Sequence, residues 1–105
     1  LNVQHPVSGD VSAFVGKAAL EGYHHDEGSK VLAPAEATLK AAGLTVVRHI
    51  GLGDPGEIIA KFCNELGCDA IVMGTRGLGG AAGLLLGSVA TEVLAQTTVP
   101  VTLVK

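Results

Sequence analysis

The chain has 105 residues and a mass of 10.5 kDa, the size of one compact domain. Its apolar fraction of 48% supplies a core, and 16% charged residues argue against disorder. With 3% aromatics and a net charge of −3, it offers neither a base-stacking platform nor a basic patch, which excludes nucleic acid as a partner.

No run is long and apolar enough to cross a membrane, and no leader of basic then apolar residues stands at the front, so a cytoplasmic protein is expected. Cys63 and Cys68 do not form a metal-type Cys-x-x-Cys pair; Cys63 reads as a reduced core residue on a helical face. The only methionine is Met73, so the natural beginning of the protein is expected to lie upstream.

Residues 1–7 (LNVQHPV) read as a short strand stopped by Pro6. Val11, Phe14, Val15, Ala18 and Ala19 have helical spacing, which predicts a helix ending at about Leu20 or Tyr23. The polar stretch Gly22 to Gly28 breaks that pattern. A second helix is expected from Ser29 or Pro34 to Ala42, with Val31, Leu32, Ala35, Leu39 and Ala42 on its apolar stripe and Gly43 as its left-handed cap.

Leu44–Ile50 is β-branched and predicts a strand, with Gly51-Leu-Gly53 loosening the chain after it. Asp54-Pro55-Gly56-Glu57 then opens a helix. Asp54 caps it, Pro55 takes the first helical position, Glu57 reaches back to the cap, and Gly67 ends it. Ile58, Ile59, Phe62, Cys63 and Leu66 form its buried stripe. Ala70–Met73 is wholly apolar, the pattern of a strand covered on both faces. A glycine-rich loop, a helix from Ser88 to Gln96 and a strand over Val99–Val104 complete the chain. Strands alternating with helices predict an α/β fold, an open parallel sheet with helices on both faces, whose ligands bind beyond the carboxyl ends of the strands.

The glycine loop carries the chemistry. Six of the fourteen residues from Gly74 to Gly87 are glycine. Without Cβ atoms the backbone approaches a ligand closely, and successive N–H groups converge on anionic oxygens. Gly87-Ser88 stands at a helix start, where unbonded N–H groups and the positive end of the dipole favour phosphate. Ser88 adds a hydroxyl able to bind phosphate or help ligate Mg²⁺. The plain alternative is a surface loop with Ser88 as helix N-cap. Walker-type and dinucleotide-binding loops do not fit: the first needs a lysine absent here, and the second fails at its third glycine.

The spacing Gly74-x2-Gly77-x9-Gly87-Ser88 resembles the nucleotide-binding motif of the universal stress protein family, G-2x-G-9x-G-(S/T). IVMGTRG, LLLGSVATEVL, GDPGEIIAKF and VPVTLVK are also similar to that family, so the resemblance covers essentially the whole chain, read as one domain over residues 1–105. It implies a Rossmann-like fold that binds ATP, with Mg²⁺, in stress response or signalling, with little or no hydrolysis. Gly74 and Gly77 would bring amides to the phosphates and ribose; Gly87, Ser88 and Val89 would hold the terminal phosphates. Val3 and Met73 would line the adenine and ribose side. The resemblance further implies an additional strand and helix ahead of Leu1, the strand ending in a nucleotide-binding Asp and filling a gap between Leu1–His5 and Ala70–Met73. It also implies a homodimer paired through the last strand, residues 99–105. A dimeric interaction module without nucleotide, or an adenylate-chemistry enzyme, are the alternatives.

Other constellations read as structural. His24-His25-Asp26-Glu27 is expected to be a solvated polar loop rather than a metal site, because adjacent side chains diverge. His5 and His49 read as strand-end histidines. Capping accounts for Asp54 and Glu57. Arg76 either pairs with phosphate or is solvated. No Ser–His–Asp order or nucleophile elbow supports catalysis.

Overall fold

The computed structural model describes residues 1–6, 16–75 and 86–105. Its elements, in chain order, are β1 (Asn2–Gln4), α1 (Lys17–Ala41), β2 (Ile50–Leu52), α2 (Pro55–Leu66), β3 (Ile71–Gly74), α3 (Ser88–Gln96) and β4 (Val101–Val104). The chain divides into two compact units, Leu1–Gly53 and Asp54–Lys105.

In the first unit β1 and β2 pair in parallel, with Asn2 opposite Ile50, Val3 opposite Gly51 and Gln4 opposite Leu52. Amide bonds from Asn2 to the His49 carbonyl and from Gly53 to the Gln4 carbonyl, both 3.0 Å, close the ladder at its two ends. The strand expected over Leu44–Ile50 is therefore displaced to Ile50–Leu52. β1 offers three residues, so its ladder with β2 is equally short, whatever the β propensity of the valines before it. Between α1 and β2, the Arg48 guanidinium pairs with Glu36 on α1.

α1 corrects the helix reading more deeply. One helix runs through Gly22–Gly28 and past Pro34, where a break and a second start were expected. Its inward line is Leu20, His24, Gly28, Leu32 and Glu36, one residue per turn. Only two of those five are apolar chains, so hydrophobic periodicity does not mark the line. Val31, expected on the buried stripe, is 59% exposed. At Gly28 a Cβ would stand 2.8–2.9 Å from three side-chain atoms of Ile50, so the absent side chain is what lets β2 approach the helix. The C-terminus ends as expected in a left-handed Gly43, with Gly43 N–H bonded to the Lys40 carbonyl and Leu44 N–H to that of Leu39.

The second unit follows the sequence at its helix ends, whereas Leu66, expected on the buried stripe of α2, is 52% exposed. Asp54 caps α2, its carboxylate accepting from the Glu57 amide at 3.3 Å, and Pro55 occupies the first turn. Gly56, Ala60 and Cys63 are buried, and Gly67 in the left-handed region (φ 64°) stops the helix. α3 packs on α2, with Ala90 and Val93 fully covered. β3 and β4 pair in parallel, Ile71 opposite Val101 through Gly74 opposite Val104. β3 is not covered on both faces among the described residues: Ile71 and Met73 are half-buried, whereas Val72 is 71% exposed. Among the described residues its sheet has two strands, and the pleat alternates side chains between one covered and one open face.

Candidate functional site

The glycine motif begins at the end of β3 and finishes at the start of α3. Met73 is half-buried and Gly74 exposed at the carboxyl end of the strand. Thr75 continues the ladder, its amide donating to the Val104 carbonyl at 3.0 Å, and is itself buried. Its carbonyl accepts from the amide of Gly87. That bond pinches the loop at its base and holds the two halves of the motif, Gly74 and Gly87-Ser88, against one another. Gly77 and Arg76, with Gly79, Gly80 and Gly83, lie outside the described residues.

Gly87, in extended conformation (φ −74°, ψ 165°), is the N-cap of α3, and no side chain caps the helix. Ser88 is thus the first helical residue and is exposed, rather than the N-cap of the plain alternative. The first intrahelical bond runs from the Thr91 amide to the Gly87 carbonyl at 3.1 Å. The amides of Ser88, Val89 and Ala90 therefore precede any intrahelical acceptor and carry the positive end of the helix dipole. Gly87's own amide is committed to Thr75. Val3 sits half-buried in β1 of the first unit.

Beside this helix start lies a group the sequence reading missed in part. Carboxylate oxygens of Asp54, Glu57 and Glu92 lie within 4.8 Å of one another. Burial raises the Glu92 carboxyl above its ordinary range, helped by a hydrogen bond with Asp54 and the charges of Asp54 and Glu57, while a bond from Gln96 (3.0 Å) opposes the shift. Capping explains Asp54, whose carboxylate accepts from the Glu57 amide. Glu92 reaches them only because α3 packs on α2, a tertiary fact with no signal along the chain.

The histidine stretch is helical rather than loop, and only part of it is solvated. His24 is buried edge-on to Tyr23, with ring centroids 5.3 Å apart. His25 and Asp26 are exposed and 3.7 Å apart, and Glu27 pairs with Lys30 at 3.2 Å. These residues do not gather into a metal-ligating group among the described residues. His5 is exposed and His49 half-buried.

Parallel strands joined through helices define an α/β protein. A family profile described as the universal stress protein family matches residues 1–105, and the chain belongs to that family. It is 33% identical to universal stress protein MJ0531 of Methanocaldococcus jannaschii over 102 residues, covering 91% of this chain and 60% of that protein. It is likewise 33% identical to universal stress protein YxiE of Bacillus subtilis over 79 residues, covering 75% of this chain and 53% of the relative. The chain thus spans little more than half the length of these relatives. The solved structure of MJ0577, the subject of a structure-based assignment of biochemical function, matches with a TM-score of 0.79 at 28% identity, over 98% of this chain and 71% of that one. The α/β fold with parallel strands is shared with it. Among the described residues no helix is long and apolar enough to cross a membrane.

Proposed function

We propose that this chain is the greater part of an ATP-binding universal stress protein domain acting in stress response or signalling. The observation that carries the reading is the Gly87–Thr75 backbone bond, which sets the strand-end glycine of the motif beside the start of α3. Ser88 and Val89 then present amides to the terminal phosphates, and the exposed Ser88 hydroxyl supplies an oxygen for phosphate or for Mg²⁺, which takes hard oxygen ligands. Gly74 allows the backbone to approach the phosphates and ribose, with Gly77 continuing that role. Met73 supplies apolar surface for the base. Gly87 acts through the turn it closes, not through its amide. No group in this set is placed as a base toward Ser88, so hydrolysis is expected to be slow at most.

Equilibrium binding of ATP to the full-length protein tests the reading. Saturable binding is expected, weakened at least tenfold by Gly87→Val, which puts a branched side chain beside the proposed phosphate site, and less by Ser88→Ala. Absence of saturable binding by the full-length protein would overturn it.

A homodimer through residues 99–105 is the partner we propose. β4 pairs with β3 on one side, its other edge has no strand among the described residues, and Val104 is 53% exposed. Light scattering that shows a monomer at all concentrations would remove this partner.

A further inference from the structure

Both long helices end in the same six-residue motif. In α1 the Leu44 amide bonds to the Leu39 carbonyl and the Gly43 amide to that of Lys40; in α2 the Cys68 amide bonds to the Cys63 carbonyl (3.0 Å) and the Gly67 amide to that of Asn64 (3.4 Å). The motif sets the side chains of its first and last residues against each other, a place normally filled by an apolar pair. α1 fills it with two leucines. α2 fills it with two cysteines.

We propose that Cys63 and Cys68 form a reversible intrachain disulfide, a redox-modification site at the C-terminal cap of α2. The backbone bond between these same two residues keeps their Cα atoms within about 7 Å, the reach a disulfide requires. The Cys63 sulfur also points at its partner residue, lying 4.0 Å from the Cys68 carbonyl oxygen. Both cysteines are free, Cys63 buried and Cys68 exposed. Burial, and then the neighbouring Cys68 thiol, push the Cys63 thiol up, so the exposed partner is the one that reacts first.

With a peroxide as oxidant the chemistry balances. The Cys68 thiolate attacks one peroxide oxygen, the O–O bond breaks, and a sulfenic acid and hydroxide result. The Cys63 sulfur then attacks the sulfenic sulfur, the S–O bond breaks, and water leaves with the Cys63 proton. Two thiols are oxidised by two electrons and one peroxide is reduced to two waters. A thiol reductant reverses the bridge.

Peptide mass mapping of the purified full-length protein after hydrogen peroxide tests this. Trypsin releases residues 62–76 as one peptide containing both cysteines. It is expected to appear about 2 Da lighter, the two lost hydrogens, and to refuse alkylation until reduced. Cys63→Ala, in the same treatment, is expected to leave Cys68 as a sulfenic acid that dimedone traps. Oxidised wild-type protein in which Cys68 carries sulfinic acid or joins a second chain while Cys63 stays alkylatable would overturn the proposal.

Discussion

α1 and α2 are held in different ways. α1 runs for 25 residues from a glycine with φ 76°, has no side-chain cap, carries Pro34 inside, and buries fully only His24 and Gly28. α2 runs for 12 residues, begins on a side-chain cap with proline in its first turn, and covers Gly56, Ala60 and Cys63. A well-ended helix needs little length, because its orphan N–H and C=O groups are satisfied locally. A long helix with a polar inward line depends on single close approaches, of which Gly28 against Ile50 is the clearest. The two agree at their C-termini, where one motif serves both.

The largest expected effects come from filling the close approaches. Gly28→Val drives a branched side chain into Ile50, itself branched and half-buried in β2, and should lose about 1–3 kcal/mol of stability. Gly56→Val meets Glu92, whose Cβ would stand 2.7 Å from the new Cβ. The Glu92 head can swing toward solvent, but its Cβ is fixed on α3, so relief requires α3 to shift away from α2 and the loss should be of similar size. Denaturant titration measures both losses, and hydrogen exchange assigns each loss to residues 1–53 or 54–105. Either variant as stable as wild type, or protection lost in the wrong unit, would show that these close approaches do not hold the helices as the geometry implies.

Next comes the motif the helices share. Gly43 (φ 77°) and Gly67 (φ 64°) both occupy the left-handed region, and nothing among the described residues lies within 4 Å of a Cβ built at either. Gly43→Ala and Gly67→Ala should therefore cost a similar amount, about 1–2 kcal/mol each, from backbone conformation alone. Thermal unfolding that separates the two clearly would show that one cap carries tertiary strain.

These cases also explain what could be read from residues alone. The start of α2, the extent of α3 and the glycine stops are written within a few neighbouring residues, because capping chemistry is local. The continuity of α1 is not: Gly22, Gly28 and the charged residues between them look like a break, and the reason they are not one is a strand packed on the helix. β4 was legible apart from its edges, since Pro100 precedes it and β-branched residues fill it. β2 was misplaced because propensity favoured the valines, while β1 offered a partner only to Ile50–Leu52. At the site, Gly87-Ser88 announced a helix start. The commitment of the Gly87 amide to Thr75, and the arrival of Glu92 beside Asp54, depend on packing that no spacing rule carries.

The smallest effect is the most diagnostic of how α3 sits on α2. Burial and the Asp54 and Glu57 carboxylates raise the Glu92 carboxyl above its unfolded value. The folded chain thus holds a proton over a range where the unfolded chain has released it. The stability this contributes is complete below the unfolded pKa and is lost as pH rises through the folded one. Glu92→Gln keeps an oxygen to accept from Gln96 and offers an amide hydrogen to Asp54, yet brings no charge. The variant should match wild type in acid and become the more stable of the two as pH climbs past the carboxylate range, the gap closing in high salt. Parallel denaturation curves for the two proteins at every pH would mean that Glu92 is already solvated in the native state, and that α3 meets the first turn of α2 less closely than Gly56 allows.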